Sequence, residues 1–506
     1  MAAWTYDQVA QHNRRGDCYV ILYEKVYDLT DFIPVHPGGP QIILKYAGKD
    51  ATAIFDPIHA PGTIEKFLPN EKCKGEVDPS TIPEEVAREA ENVLKEEEDK
   101  RKNLPHVSQC LNLQDFELVA RKVLSPMAWA YYSSASDDQE TYHENTSVFR
   151  RIWFRPRILR NVQHVDLSTT ILGHKSSLPV YITATALGRL GHPDGEKNLT
   201  WAAAKEDVIQ MFPTLSSCSF DEIIDARKDG KPIQFFQLYV NSDRNIVLEM
   251  VRKAEKVGIQ ALFITVDAPQ LGRREKDMRM HFDDAGTNVQ NETEDEVNRN
   301  EGAARAISSF IDPSLDWEVA EWIKSQTKIP VLLKGVQCWE DCVLAAEKGF
   351  AGVVLSNHGG RQLDFAPSGI EVLEECVDAL RIRGLFPNPH FQIFVDGGIR
   401  RATDVLKAVC LGATAVGIGR PFIYAMSAYG AAGVSRAIQL LKEEMVMDMR
   451  LIGATSISQL NPSMLDLRAM HHHGQTIAPR TQSNVLQPHA DGPDSSAAAH
   501  GAKSRL

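Results

Sequence analysis

The stretch AGVVLSNHGGRQLD, residues 351–364, joins a short apolar run to a polar segment rich in reactive side chains. The run at 351–355 has the length and composition of a buried β-strand. It ends in an imidazole at His358, two glycines and a guanidinium at Arg361. This order predicts a strand whose carboxyl end presents a proton acceptor and a cation to one site.

The same strand-then-polar theme recurs between residues 110 and 467. Amphipathic stretches such as NIVLEMVRKAEKVG (245–258) separate the apolar segments and predict helices. The eight predicted strands lie at 179–186, 208–212, 232–239, 261–268, 329–336, 351–359, 391–398 and 413–420. This alternation predicts an α/β fold, a (β/α)8 TIM barrel. A doubly wound sheet is the alternative, but no G-x-G-x-x-G follows the first strand, which counts against it.

Residues able to do chemistry follow the predicted strands one after another. In a parallel barrel the carboxyl ends of all strands meet at one face, where active sites form. The residues at these ends are Gln237, Tyr239, Thr265, Asp267, Lys334, His358, Arg361, Asp396, Arg400, Gly419 and Arg420. We therefore expect them to share one site.

Two glycine-rich turns after the last two strands predict a phosphate site. VDGGIRRATD places Gly397 and Gly398 before a helix, and GIGRPF places Gly419 and Arg420 after the final strand. Glycine exposes backbone N–H groups to an anion, and arginine adds charge-assisted hydrogen bonds. Barrels hold phosphate groups at this position.

The other candidate site residues predict a substrate that carries a carboxylate and a hydroxyl. Arg361 and Arg274 are expected to hold the carboxylate, while His358 accepts a proton. Asp267 is expected to orient the imidazole and stabilise its protonated form. Further hydroxyls and positive charge come from Tyr131, Tyr239 and Lys334. A lysine beside a ring that becomes negative on reduction favours a redox cofactor.

Two histidines stand out in the N-terminal block. His36 and His59 both lie in FIPVHPGGPQIILKYAGKDATAIFDPIHAP, residues 32–61, each in an apolar and turn-rich setting. Such a pair is a candidate for axial ligation of one iron. The Pro-Gly-Gly sequence at 37–39 predicts a tight turn that lets the backbone approach a flat macrocycle.

These motifs resemble two known families. HPGG with a second histidine 23 residues later resembles the cytochrome b5 family, which implies haem b held by His36 and His59. SNHGGRQLD, DGGIRR, GIGRP, FQLYV, TVDAP and LKGV resemble the FMN-dependent L-2-hydroxy-acid dehydrogenase/oxidase family. The implied FMN contacts are Thr185, Ala186, Gln237, Thr265, Lys334, Asp396, Gly397, Gly398, Arg400, Gly419 and Arg420.

The resemblance also implies an activity. His358 becomes the active-site base with Asp267 as its partner, and Arg361, Arg274 and Tyr131 hold the carboxylate while Tyr239 contacts the hydroxyl. The expected reaction is oxidation of an L-2-hydroxy acid, foremost L-lactate to pyruvate, with electrons passing from flavin to haem and to an acceptor such as cytochrome c. A homotetramer is expected. An oxidase that reduces oxygen to peroxide and a non-catalytic haem-binding scaffold are the alternatives.

Composition limits the other partners. The 506 residues carry a formal net charge of −12, which argues against nucleic-acid binding. No apolar run approaches the ~18 residues of a membrane-spanning helix. We expect a small-molecule enzyme rather than a nucleic-acid or membrane protein.

Four segments are expected along the chain. They are a cytochrome b5-like α+β domain at 1–77, a linker at 78–109, the barrel at 110–467 and a flexible tail at 468–506. The tail ends in Ser504-Arg505-Leu506, which resembles a peroxisomal address, and the N-terminus has no mitochondrial presequence pattern. The expected location is peroxisomal or cytoplasmic.

Two positions depart from the family pattern. Pro213 replaces a serine in the second strand, so a polar flavin contact is lost or is supplied instead by Ser216 or Ser217. The segment Ser133–Ser136 reads SSAS, so alanine replaces a glycine in that turn.

Overall fold

The N-terminal part contains an antiparallel sheet flanked by short helices. Its strands pair in the order β1-β2-β3-β4, and they are β1 Asn13–Arg14, β2 Asp17–Leu22, β3 Lys25–Asp28 and β4 Cys73–Glu76. The helices are Tyr6–Ala10, Pro40–Lys45, Thr52–Phe55 and Thr63–Phe67. Apolar residues of β2 and of the Pro40–Lys45 helix form a small core. The α+β prediction for this part is confirmed.

The larger part is a closed barrel of eight parallel strands in the order β10-β11-β12-β13-β14-β15-β8-β9. They are β8 Val180–Ile182, β9 Ile209–Pro213, β10 Gln234–Leu238, β11 Ala261–Thr265, β12 Val331–Val336, β13 Gly352–Leu355, β14 Gln392–Asp396 and β15 Ala415–Ile418. Seven of them lie within the segments predicted as strands, and β9 extends one residue beyond its predicted segment, to Pro213. The (β/α)8 barrel is therefore confirmed, and the doubly wound sheet is wrong.

The strand sequences are apolar on both faces because both faces are covered. One set of side chains fills the barrel interior, including Tyr181, Phe235, Phe263 and Phe394. The other set packs outward against the helices in the main core. Large rings thus fill the interior of the barrel, as is usual for this fold.

Helices surround the barrel and precede it. They are Leu113–Val123, Pro126–Ser133, Glu140–Ser147, Lys197–Glu206, Phe220–Asp225, Arg244–Lys256, Glu275–Phe282, Trp317–Ser325, Trp339–Glu347, Gly369–Ile382, Ala402–Leu411 and Arg420–Ile452. The last is interrupted at Tyr429 and Gly430, whose dihedral angles are not helical. Two small strand pairs were not predicted: β5 Trp153–Phe154 with β16 Leu465–Asp466, and β6 Thr169–Ile171 with β7 His174–Ser176.

The computed structural model describes residues 3–36, 40–59, 61–86, 99–227, 232–282 and 311–473. The predicted Pro-Gly-Gly turn at 37–39, residues 87–98 of the predicted linker and the Ser504–Leu506 end lie outside these residues. Met1–Met470 form one compact unit. Among the described helices, none combines the length and apolar character that crossing a bilayer requires.

Candidate active site

A cleft opens at the carboxyl ends of the barrel strands. It holds about 1000 Å³ of space not filled by protein atoms, counting solvent at its mouth. The predicted residues that line it are Tyr131, Thr185, Ala186, Gln237, Tyr239, Thr265, Arg274, Lys334, His358, Arg361, Asp396, Gly397, Gly398, Arg400, Gly419 and Arg420. Asp267 does not line the cleft but lies behind His358. The structure therefore brings together the whole predicted set.

His358 lies between a carboxylate and a phenol. Its Nδ1 atom is 3.1 Å from Oδ1 of Asp267, and its Nε2 atom is 3.3 Å from the Tyr239 hydroxyl. The carboxylate fixes the proton on Nδ1, so Nε2 faces the cleft as a proton acceptor. The turn that aims the ring is left-handed, with φ of 58° at His358, 65° at Gly359 and 76° at Gly360.

Burial sets the protonation of this pair. Burial lowers the pKa of His358, an effect that Asp267 partly opposes. Burial also works to raise the pKa of Asp267, but the charge and hydrogen bond of His358 and the charge of Lys334 outweigh it, and the pKa is lowered. At neutral pH the site therefore holds a neutral imidazole against a carboxylate, which is the state a general base requires.

Two guanidinium groups line the same space, that of Arg274 buried and that of Arg361 partly buried. Arg361 lies over the Tyr131 ring, with 5.1 Å from its guanidinium carbon to the ring centre, and donates to the Tyr131 and Ser134 carbonyls at 2.7 and 3.1 Å. Burial and the nearby charge of Arg274 lower the pKa of Arg361 to about 10. Nε of Arg274 has no hydrogen-bond partner among the described residues. Two like charges beside one cleft, with a buried donor unpaired, form a site for an anion such as a carboxylate.

The inner wall of the cleft suits a flat, polar cofactor ring. Nζ of Lys334 lies 3.3 Å from Oδ2 of Asp396, and Gln237 donates to the Thr265 hydroxyl at 2.8 Å. Burial works against the charge of Lys334, but Asp396 and Asp267 outweigh it and raise its pKa. Thr183, which the sequence prediction missed, lines the cleft with its hydroxyl unpaired among the described groups. These donors fit the ring of FMN.

The outer end suits a phosphate. Gly397 and Gly398 line the cleft and have φ of 91° and 80°, a conformation that favours glycine. Arg420 begins the Arg420–Ile452 helix, so its charge adds to the positive end of a helix dipole. Its Nη1 atom is buried and has no hydrogen-bond partner among the described residues. These groups match the phosphate of FMN.

The N-terminal histidines face each other across a gap. The ring centres of His36 and His59 lie 6.3 Å apart. Metal–imidazole bonds of about 2 Å on each side, plus about 1 Å from nitrogen to ring centre, give a separation of about 6 Å. Nδ1 of His59 lies 3.0 Å from the Phe55 carbonyl, which leaves Nε2 for a metal. The geometry fits one iron between two imidazoles, as in a bis-histidine haem.

The two departures from the family pattern have different outcomes. Neither Ser216 nor Ser217 lines the cleft, so neither replaces the polar contact that Pro213 lacks. Ser216 donates to the Cys218 carbonyl at 2.7 Å and Ser217 to the Pro57 carbonyl at 2.8 Å. Ala135 is buried and does not have a positive φ, so this turn does not require glycine.

Comparison with known proteins agrees with this geometry. The FMN-dependent dehydrogenase family model matches residues 120–467, and the cytochrome b5-like haem/steroid binding domain model matches residues 5–78. The L-lactate dehydrogenase (cytochrome) of Wickerhamomyces anomalus is 55% identical over 94% of this chain and 82% of its own length. The Saccharomyces cerevisiae protein of the same name is 48% identical over 92% and 79%.

A solved structure gives the same result. A double mutant of flavocytochrome b2 with pyruvate bound is 46% identical and superposes with a TM-score of 0.69. The match covers 80% of this chain and 98% of that chain. The chain thus belongs to the FMN-dependent dehydrogenase family and carries a cytochrome b5-like haem-binding domain ahead of the family barrel.

Proposed function

We propose that this protein oxidises L-lactate to pyruvate and passes the electrons from FMN to haem b. One observation carries the proposal: the His358–Asp267 pair and the Arg274–Arg361 pair share a cleft, in a chain that also holds the facing His36 and His59 rings. Relatives named for this reaction, and a relative with its product pyruvate bound, support the choice of substrate.

The residues of the cleft have separate roles in the reaction. Arg361, Arg274 and Tyr131 hold the carboxylate of the substrate and so fix its orientation. The C2 hydroxyl lies between Tyr239 and Nε2 of His358, which accepts its proton. Asp267 stabilises the imidazolium that results. The substrate loses two electrons and two protons in becoming pyruvate, and FMN, when bound, supplies the two-electron acceptor.

FMN would be held at both of its ends. Its ring would lie along Thr185, Ala186, Gln237, Thr265 and Lys334, where the lysine charge favours a reduced, anionic ring. Its phosphate would be bound by Gly397, Gly398, Arg400, Gly419 and Arg420, with Asp396 fixing the turn before them.

The N-terminal domain would supply the one-electron step. His36 and His59 would hold the haem iron between them, and a haem held by two histidines would supply one-electron transfer rather than oxygen binding. The acceptor we propose is a small one-electron protein such as cytochrome c. This export distinguishes the proposal from an oxidase that reduces oxygen directly.

Anaerobic absorption spectroscopy tests the proposal. The purified protein should show flavin and haem bands, and L-lactate should bleach the flavin and then reduce the haem. Added cytochrome c should be reduced in turn, with two equivalents per pyruvate formed. If L-lactate consumed oxygen at the full turnover rate while the haem stayed oxidised, the oxidase alternative would replace this proposal.

We also propose the division into domains at 1–77 and 110–467, with a linker between them and a tail from 468. The assembly we propose is a homotetramer, which light scattering on the purified protein would test. The location we propose is peroxisomal or cytoplasmic, from the Ser504-Arg505-Leu506 end. An N-terminal fluorescent fusion should form puncta that disperse when these three residues are removed, and mitochondrial labelling would contradict it.

A further inference from the structure

A carboxylate outside the cleft joins two loops of the barrel face. Glu196 is fully buried at the start of the Lys197–Glu206 helix. Its Oε1 atom accepts hydrogen bonds from the Gly188 and Ser217 N–H groups at 2.8 and 3.0 Å. Its Oε2 atom accepts one from the Cys218 N–H group at 3.0 Å. Charge-assisted bonds from three backbone donors hold both loops to one group.

The first loop follows β8 and has two ends with different surroundings. Thr185 and Ala186 line the flavin cleft. Arg189 donates from Nη2 to Oε1 of Glu222 in the barrel at 2.8 Å and also approaches the haem-binding domain. Nη1 of Arg189 lies 3.9 Å from Oδ1 of Asp56. Gly188, between these ends, has no room for a side chain, because a β-carbon would lie 2.8 Å from Cδ of Glu196. The close approach of Glu196 therefore depends on a glycine.

The second loop follows β9 and shows the same division. Pro213, the last residue of β9, lines the cleft where the loop begins, and the Ser217 hydroxyl donates to the carbonyl of Pro57 in the haem-binding domain at 2.8 Å. The same hydroxyl accepts the Arg189 N–H at 3.2 Å, so the two loops are also bonded to each other. Pro57 lies two residues before His59, the proposed iron ligand.

We propose that Glu196 is a positioning residue for electron transfer. It fixes the contact between the barrel and the haem-binding domain in place relative to the flavin cleft. In this contact, Asp56 and Pro57 of the haem-binding domain lie against Arg189 and Ser217 of the barrel. The inference rests on the proposed transfer from flavin to haem. It assigns to Glu196 no contact with substrate or cofactor; it acts through the two loops.

Stopped-flow absorption with the Glu196→Gln holoenzyme tests this role. Glutamine presents an N–H group where Oε2 accepts from Cys218, so it breaks that bond and loosens both loops. We expect L-lactate to reduce the flavin at a rate within about threefold of the parent. Haem reduction should slow by roughly tenfold or more, since transfer depends on how the two parts are positioned. Equal slowing of both steps, or slowing of neither, would overturn the proposal.

Glu206→Gln is the matched control. Glu206 is a buried glutamate at the other end of the same helix, bonded to Gln439 at 2.9 Å and Lys442 at 3.2 Å and not to the loops. Its substitution should lower the melting temperature without changing the ratio of haem to flavin reduction rates. Amide hydrogen exchange gives a readout independent of turnover. Gly188, Ser217 and Cys218 should exchange faster in Glu196→Gln and unchanged in Glu206→Gln.

If Glu196→Gln does not fold, a pair of less disruptive serine variants tests the proposal. Ser217→Ala removes the hydroxyl that bridges Arg189 and Pro57, and should slow haem reduction while sparing flavin reduction. Ser216→Ala is its control, because that hydroxyl donates to the Cys218 carbonyl of its own loop and has no bond to the haem-binding domain among the described residues. Identical haem reduction rates in both serine variants would overturn the proposal. Failure of L-lactate to reduce the parent flavin would instead refute the proposed function.

Discussion

Gly335 and Asp267 lie so close that a β-carbon on Gly335 would be 2.5 Å from Cβ of Asp267. Gly335 also has φ of 112°, a conformation that other residues rarely adopt. The glycine therefore makes space for the carboxylate that orients His358, although Gly335 itself is not among the residues that line the cleft.

Gly335→Ala should consequently push Asp267 away from His358. We expect flavin reduction by L-lactate to slow by about 10²-fold, the loss that a displacement of about 1 Å can produce. Gly258→Ala is the control, since Gly258 has φ of 74° and open space around its Cα. It carries the backbone strain without the collision. Equal rates in the two variants would show that Gly335 does not position Asp267.

His358→Gln should leave FMN bound while oxidation slows by about 10²–10⁴-fold, the usual contribution of a general base. The phosphate-binding groups lie on other strand ends, which is why the flavin is retained. The flavin content after gel filtration and the single-turnover rate measure the two effects separately. A variant within tenfold of the parent rate would remove His358 from the mechanism.

The pH dependence of kcat/KM should place the acid limb below about pH 6.5, the ordinary histidine value. Burial lowers the pKa of His358, so its neutral form persists to lower pH than that of a free imidazole. Activity is lost as the pH falls through this lowered pKa, because the protonated ring cannot accept a proton. The residual rate of His358→Gln should lack this limb. A limb at or above the ordinary value would contradict the assignment.

The kcat/KM values of substrate analogues should depend on which protein groups each analogue leaves without a partner. Glycolate lacks only the methyl group of lactate, a loss of about 1–3 kcal/mol, so it should be a poor substrate. L-lactamide lacks the charge that Arg274 and Arg361 bind and should be rejected more strongly, because buried charged donors lose their partner. The values of kcat/KM should fall from L-lactate to glycolate to L-lactamide, and the reverse order of the last two would exclude the arginine clamp.

His36→Ala should abolish haem binding but leave flavin reduction by L-lactate intact, because the two redox groups have separate ligands. The haem absorption band and the anaerobic flavin bleaching rate report the two properties. His12→Ala serves as the control, since His12 pairs with Asp17 at 2.6 Å and is not a proposed ligand. If loss of haem also stopped flavin bleaching, the modular arrangement would be refuted.

The barrel and most of the cleft could be predicted because both depend on short stretches of sequence. Each strand is an apolar run, and His358, Lys334 and Arg420 follow such runs directly. Glu196 and Gly335 escaped notice because their importance depends on partners far along the chain, at Ser217 and Asp267.

The left-handed turn at 358–360 limits which sequences this site accepts. Three successive residues there have positive φ, and only asparagine, aspartate, histidine and glycine adopt that conformation readily. A β-carbon on Gly359 would collide with the Arg420 guanidinium, and one on Gly360 with the Tyr142 backbone. In a saturation library, folded members should therefore be sparse at all three positions. His358→Asn should keep the left-handed backbone of the turn while removing the imidazole. This substitution therefore separates the requirement for the turn conformation from the requirement for the base.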